Sequence, residues 1–330
     1  MSILRRHSRL EFGIALAMLC QLLGTSSLQA ACDNYPNRPV EIVVPFPAGG
    51  PTDGTARIAA EALSASVGRS FVVLNRPGAS GTIGAGAVAA AAPSGYTILL
   101  TTSALATAPS FHETTFDPLI DFMPVGQIAR SRIVLVAARL LPIRSVSELV
   151  ELAHEKPSEL TFASPGVGTP LQLVEKIFEH EARIDVTNVN YQGSAPALQD
   201  VIGNRITAMF DATVSSVPLV KAGLIRALAV SGAQRLPALP DVPTMREAGY
   251  KNVDVDVSYW VFAPKGTPAC VVAFLEQHIR SIIAMPNIQR RFADLGAQAE
   301  WRSADEVQAT LRHEMQLSKA VAKELATQKR

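Results

Sequence analysis

Phe46-Pro47-Ala48-Gly49-Gly50-Pro51-Thr52-Asp53 is the stretch on which the reading of this chain turns. It follows Val40-Glu41-Ile42-Val43-Val44-Pro45, an apolar, β-branched run that reads as a strand. It precedes Ala56–Ser66, where apolar and small residues recur at helical spacing. A glycine-rich link from strand to helix leaves two readings open. Paired glycines let the backbone approach a ligand closely and aim successive N–H groups at one point. The start of the next helix adds partial positive charge, so an anion is favoured there without Lys or Arg. Thr52 adds a hydroxyl. In the plainer reading the glycines make a tight turn and Asp53 caps the helix.

Beyond this loop the same rhythm continues. Phe71-Val72-Val73-Leu74 reads as a strand, Ile83–Ala92 as a small-residue helix, and Tyr96-Thr97-Ile98-Leu99-Leu100 as a third strand. A βαβαβ run of this kind predicts parallel α/β units. After a proline-rich stretch, Ile133-Val134-Leu135-Val136 reads as a strand crossing into a second unit, where the rhythm restarts. Strand Leu160-Thr161-Phe162-Ala163 meets another glycine loop, Ser164-Pro165-Gly166-Val167-Gly168-Thr169, and helix Leu171–Glu181 follows. Strand Val186–Tyr191, helix Ala195–Ile202 and strands Ile206–Phe210 and Arg226–Val230 complete this unit, and Tyr259–Pro264 reads as the return crossing. Segments Cys270–Ala284, Ile288–Leu295 and Ala304–Leu325 read as helices. The fold class expected is α/β, with two domains joined by crossing strands and an interdomain cleft where ligands commonly bind. The second loop would face the first across that cleft and clamp an anion from the other side. Asp211, after its strand, would orient a water or a ligand amine, or cap the element after it.

The first residues differ from the rest. Arg5, Arg6 and Arg9 precede an apolar stretch, Phe12 to Leu23, and small and polar residues lead to Ala30-Ala31. This is the pattern of a secretory signal peptide over residues 1–31; the apolar core is shorter than a bilayer span needs. A lipid anchor on Cys32 is the lesser alternative, because Gln29 stands where such signals carry Leu. Cleavage removes Cys20 and leaves Cys32 and Cys270, two thiols that an oxidising compartment would allow to pair.

Composition excludes several classes. Lys+Arg 30 against Asp+Glu 29, with no basic tract, argues against a nucleic-acid partner. His112, His154, His180, His278 and His313 show no metal-binding spacing, and no cofactor is expected. Four of them, all but His112, fall on expected helices among charged residues and read as surface. No Gly-x-Ser-x-Gly elbow or Cys-x-x-Cys occurs. Asp254 and Asp256 read as a surface pair rather than catalytic carboxylates. Gly84-Ala85-Gly86-Ala87-Val88-Ala89 matches a dinucleotide fingerprint in letters, but it follows no strand directly and lacks the acid that should come about 20 residues later.

Tyr35–Val40, Val44–Asp53, Asn75–Ala79, Pro93–Thr97, Tyr191–Leu198, Leu239–Thr244 and Ala263–Pro268 together resemble the Bug family, periplasmic binding proteins of tripartite tricarboxylate transporters. The motifs run in order over nearly the whole mature chain. The resemblance implies a two-lobed periplasmic-binding-protein type II fold that closes on a small carboxylated solute, acts as a monomer in the periplasm, and meets membrane transporter subunits transiently without catalysis. It divides the chain into lobe 1, residues 32–132 plus 261–330, and lobe 2, residues 133–260. It places ligand contacts at Phe46, Ala48, Gly49, Gly50, Thr52 and Asp53, at Thr101 and Ser103, at Ser164, Gly166, Gly168 and Thr169, and at Asp211. One departure is visible: Gln172 stands where the family often has His. The same fold serving a signalling receptor, or a secreted enzyme acting on a carboxylate, are the alternatives.

Overall fold

The computed structural model describes residues 34–328. The expected signal segment and Cys32 lie outside them; Cys270 is disulfide-bonded. The elements in chain order are β1 (Val40–Val44), α1 (Pro51–Val67), β2 (Phe71–Asn75), α2 (Thr82–Ala89), β3 (Thr97–Thr102), α3 (Ala104–Thr107) and β4 (Phe122–Ala138). Then come α4 (Val146–Glu155), β5 (Thr161–Ser164), α5 (Pro170–Ala182), β6 (Thr187–Asn190), α6 (Ser194–Ile202), β7 (Ala208–Ala212), α7 (Thr213–Lys221) and β8 (Ile225–Val230). The chain returns through β9 (Asp256–Pro264) to α8 (Ala269–Ile283), α9 (Pro286–Asp294), β10 (Ala297–Arg302) and α10 (Ala304–Gln328).

The strands form one curled sheet in the order β2-β1-β3-β9-β4-β7-β5-β6, with β8 and β10 also pairing with β4. The pairs β1–β2, β1–β3, β5–β6 and β5–β7 are parallel, as the α/β rhythm predicts; every pairing made by β4 and β9 is antiparallel. Strand β4 joins the two halves. Its first part, from Phe122, pairs with β9 and β10, and its last part, from Ile133, pairs with β7 and β8. The crossing expected at Ile133–Val136 is therefore only the end of a longer strand. Where β4 changes partners, Arg130 reaches Asp256 at 3.4 Å and Glu300 at 3.1 Å, and Arg132 reaches Asp256 at 3.2 Å. Asp254 joins through Arg132 at 3.9 Å and also pairs with Arg246 at 3.6 Å. The two aspartates are thus tied into partly exposed ion pairs.

Local chemistry explains the element ends. Helix α1 starts at Pro51 rather than Ala56, because proline suits the first helical position. It stops at Gly68, which adopts a left-handed φ of 71° and returns its N–H to Ser64 O. Valine, isoleucine and alanine from β1, α1 and β3 bury together with residues of β4, β7 and β9 in the largest core cluster. The glycines of the dinucleotide-like segment lie inside α2, where a Cβ at Gly84 would meet Arg76 O at 2.6 Å and Pro45 Cα at 2.8 Å. Close packing against β1 accounts for the residue. Helix α7 and strand β10 were not expected: α7 carries Pro218 in its interior, and the β10 sequence AQAEWR is too polar to read as a strand.

Among the described residues, no helix is long and apolar enough to cross a membrane. Nor is any group of three or more His, Cys, Asp or Glu placed to hold a metal ion.

Candidate functional site

A cleft between the two halves holds ≈ 430 Å³ of space free of atoms, its solvent-open part included. Four helices begin on it. Gly50, Pro51 and Thr52 bring the start of α1, and Thr169, Pro170 and Leu171 bring the start of α5. Gly193 and Ser194 bring the start of α6, and Ala212 is the residue before α7. Phe46, Pro47, Thr102, Pro165 and Val257 complete the wall. Among the described residues, no charged side chain lines this space.

A helix leaves its first N–H groups without carbonyl partners, and its dipole puts partial positive charge at that end. Three of these helices, those following Gly50, Gly193 and Ala212, start without a side-chain cap. At the fourth, Thr169 Oγ1 accepts from the Gln172 N–H at 3.3 Å. The cleft therefore collects first-turn N–H donors and the hydroxyls of Thr52 and Thr102 between apolar walls, while Thr169 Oγ1 donates to Gly166 O at 2.8 Å and the Ser194 hydroxyl is held by Asp211. Such a setting suits an anion with a carbon body.

Three of the loop glycine N–H groups, those of Gly49, Gly50 and Gly168, are engaged within their own turns. Gly49 N–H donates to Asp53 Oδ2 at 2.9 Å and Gly50 N–H to Pro47 O at 3.3 Å. Gly168 N–H donates to Gln172 Oε1 at 2.8 Å, and Thr169 N–H to Gly166 O at 3.3 Å. Much of the expected cradle of loop amides is thus held within two turns that set helix starts in place. Gly49 has a φ of 82°, which an L side chain rarely adopts.

Asp53 is the fixing group of the first turn, three positions into α1 rather than at its cap. Its Oδ2 also accepts from Arg57 Nε at 2.9 Å, and Oδ1 accepts from Asn75 Nδ2 at 3.0 Å. Burial would raise its carboxyl, but the hydrogen bonds from Arg57, Gly49 and Asn75 outweigh that and hold it below the usual range. Asp211 lies within β7, fully buried, beside Ala212. Its Oδ2 accepts from Ser215 Oγ at 2.5 Å and Ser216 Oγ at 2.6 Å. Loss of water raises its pKa against the lowering effect of those hydroxyls, Ser194 and the Ala212 N–H.

Of the residues expected from sequence, Phe46, Gly50, Thr52 and Thr169 line the cleft. Ala48 and Gly49 are exposed on the turn beside it. Thr101 is buried, and the strand's alternation turns its neighbour Thr102 to the cleft instead. Ser103 precedes α3 and is buried. Ser164 is buried with no hydrogen-bond partner on Oγ, while Gly166 and Gly168 lie against the opposite lobe. Gly193 and Ser194 line the cleft without having been expected there, although they stand in the segment Tyr191–Leu198 that carried part of the resemblance. Leu171, Ala212 and Val257 gave no sequence signal.

Comparison with known proteins bears on this cleft. The profile described as "Tripartite tricarboxylate transporter family receptor" matches residues 55–327. A UPF0065 protein from Pseudomonas sp. (strain P51) is 38% identical over 291 residues, 87% of this chain and 85% of that one. Among solved structures, the periplasmic binding protein BugD superposes with a TM-score of 0.84 at 34% identity, covering 88% of this chain and 98% of that one. R. palustris Rpa4515 with adipate gives 0.84 at 35% identity, covering 88% and 97%. The Bug-type resemblance and the two-lobed fold are both borne out. Shared order of motifs, shared fold and a match over most of the length lead to one statement: the chain belongs to the tripartite tricarboxylate transporter receptor family.

Proposed function

We propose that this protein captures a small carboxylate between its lobes and presents it to the membrane subunits of a tripartite tricarboxylate-type transporter. The observation that carries the reading is the convergence of four helix N-termini on one cleft without a charged side chain. A carboxylate there receives N–H and hydroxyl donors, while Phe46, Leu171, Val257 and the prolines pack against its carbon body. The relative that holds adipate supports the same ligand class. Thr52 and Thr102 are the side chains that donate hydroxyls to the ligand, with Thr169 and Ser194 lining it from the other lobe; Asp53 and Gln172 shape the turns behind them.

The protein acts as a monomer that is exported by removal of residues 1–31 and works in the periplasm. Residues 32–132 with 261–330 form one lobe and 133–260 the other, closing by rotation about the crossing strands. The ligand leaves chemically unaltered. A thermal-shift screen over adipate, malate, citrate, benzoate and glutamate, with glucose and ribose as neutral controls, tests the reading. Ligand at 100 times its Kd stabilises by about 2.7 kcal/mol. Stabilisation by a sugar and by none of the acids would overturn it.

A further inference from the structure

The second glycine loop is gripped from the opposite lobe. Thr107 Oγ1 donates to Gly168 O. His112 Nε2 lies 3.2 Å from Val167 O and 3.1 Å from Ser80 Oγ. Thr107 closes α3 and Ser80 sits in the turn before α2, both in the first lobe; the two carbonyls belong to the second. An N–H on Nε2 is what a carbonyl can accept, and both the Nε2–H tautomer and the imidazolium provide it.

The backbones approach closely enough that side chains would obstruct them. A Cβ at Gly168 would lie 2.7 Å from Phe111 Cδ2 and 3.2 Å from Ala108 Cα. One at Gly166 would lie 2.9 Å from Ser80 Oγ. Meanwhile Gln172 holds the Gly168 N–H from the second lobe's own side at 2.8 Å. The loop is thus fixed between both lobes, and Pro165 and Thr169, at its two ends, line the cleft. None of Thr107, His112 or Ser80 does.

We propose that Thr107 and His112 form a clasp that holds the second-lobe loop against the first lobe in the closed receptor, and so sets how long a captured ligand stays. The ligand half of this proposal rests on the receptor reading above; the clasp itself is measurable without any ligand. Two hydrogen bonds made only on closure shift the closed-to-open ratio by about tenfold. The effect falls on release rather than on recognition, because the clasp lies outside the lining.

The test uses the mature chain with dyes at Leu140→Cys in one lobe and Lys265→Cys in the other, read by single-molecule energy transfer. A second arm follows adipate release by stopped flow. Thr107→Val with His112→Ala should lower the closed fraction and speed adipate release, each about tenfold, with the melting temperature unchanged. His112→Gln keeps an N–H donor and should stay near wild type, and it serves together with Thr107→Val alone if the double variant folds poorly. A closed fraction equal in wild type and double variant, both unliganded and at saturating adipate, would overturn the clasp. If wild type binds no adipate, the release arm uses the acid with the largest thermal shift, and the dye-pair comparison of unliganded proteins still decides the clasp.

Discussion

Asp53 holds the Gly49 N–H at 2.9 Å from four residues ahead in the chain. Across the cleft Gln172 holds the Gly168 N–H at 2.8 Å with the same spacing. Each lobe therefore uses one first-turn side chain to pull a glycine turn back over the start of its helix. The charges differ, one carboxylate and one neutral amide, but the geometry is shared. Both residues act on the cleft through the turns they hold.

Removing the Asp53 carboxylate should loosen the first turn and cost stability. Asp53→Ala leaves Asn75 Nδ2 and the Gly49 N–H without this acceptor, a loss of roughly 3 kcal/mol. Arg57 contributes less, since its side chain is 57% exposed. Because the folded carboxyl titrates below its usual value, the stabilisation is present above pH 3.8 and fades as pH falls through the folded value. Urea unfolding from pH 2 to pH 6 should show an acid slope in wild type that is smaller in Asp53→Asn.

At Gln172 the acceptor, not the charge, is what matters. Gln172→His retains a ring nitrogen able to accept from Gly168, so carboxylate affinity should stay within about threefold of wild type. Gln172→Ala frees the Gly168 N–H and should weaken binding about tenfold, with little change in the unliganded melting temperature because the site is half-exposed. Calorimetric titration with the acid that gives the largest thermal shift measures both. Equal loss in the two variants would mean that the amide touches the ligand itself.

The strand–loop–helix at residues 40–67 was legible because valine runs, paired glycines and a proline all act locally. So was the restart of that rhythm near Leu160. The donor set was legible only in part. Thr52 was named and lines the cleft, but reading the amides of Gly49 and Gly168 as ligand donors ignored the acceptors four residues ahead of each. Thr101 was named where strand alternation turns Thr102 to the cleft. Strand β10 gains its place by pairing with β4, a partner far away in sequence. His112 meets Val167 only because the lobes fold together, so no local pattern marks it.

Gly49 tests the first turn by backbone conformation alone. Its φ of 82° is strained for valine, while a Cβ there would meet only Ala195 Cβ at 3.9 Å. Gly49→Val should abolish ligand-induced stabilisation, because the start of α1 shifts, and leave the unliganded circular dichroism spectrum unchanged. A thermal shift equal to wild type would show that the turn does not govern the cleft.

Glu175 offers a prediction about stability rather than binding. It is fully buried on α5, neither carboxyl oxygen has a hydrogen-bond partner, and the Lys176 ammonium is 3.9 Å away. Burial, with Glu179 nearby, pushes its pKa up to about 8, which Lys176 offsets only in part. A carboxyl raised in the folded state favours folding fully below its unfolded value of 4.5, and that advantage is lost as pH rises toward 8. Glu175→Gln keeps the shape and removes the charge. It should raise Tm by several degrees at pH 8, at roughly 2–4 °C per kcal/mol for a domain of this size class. At pH 4 the two proteins should melt together. Scanning calorimetry at both values reads the difference, and a gain of the same size at pH 4 would assign the effect to packing instead of charge.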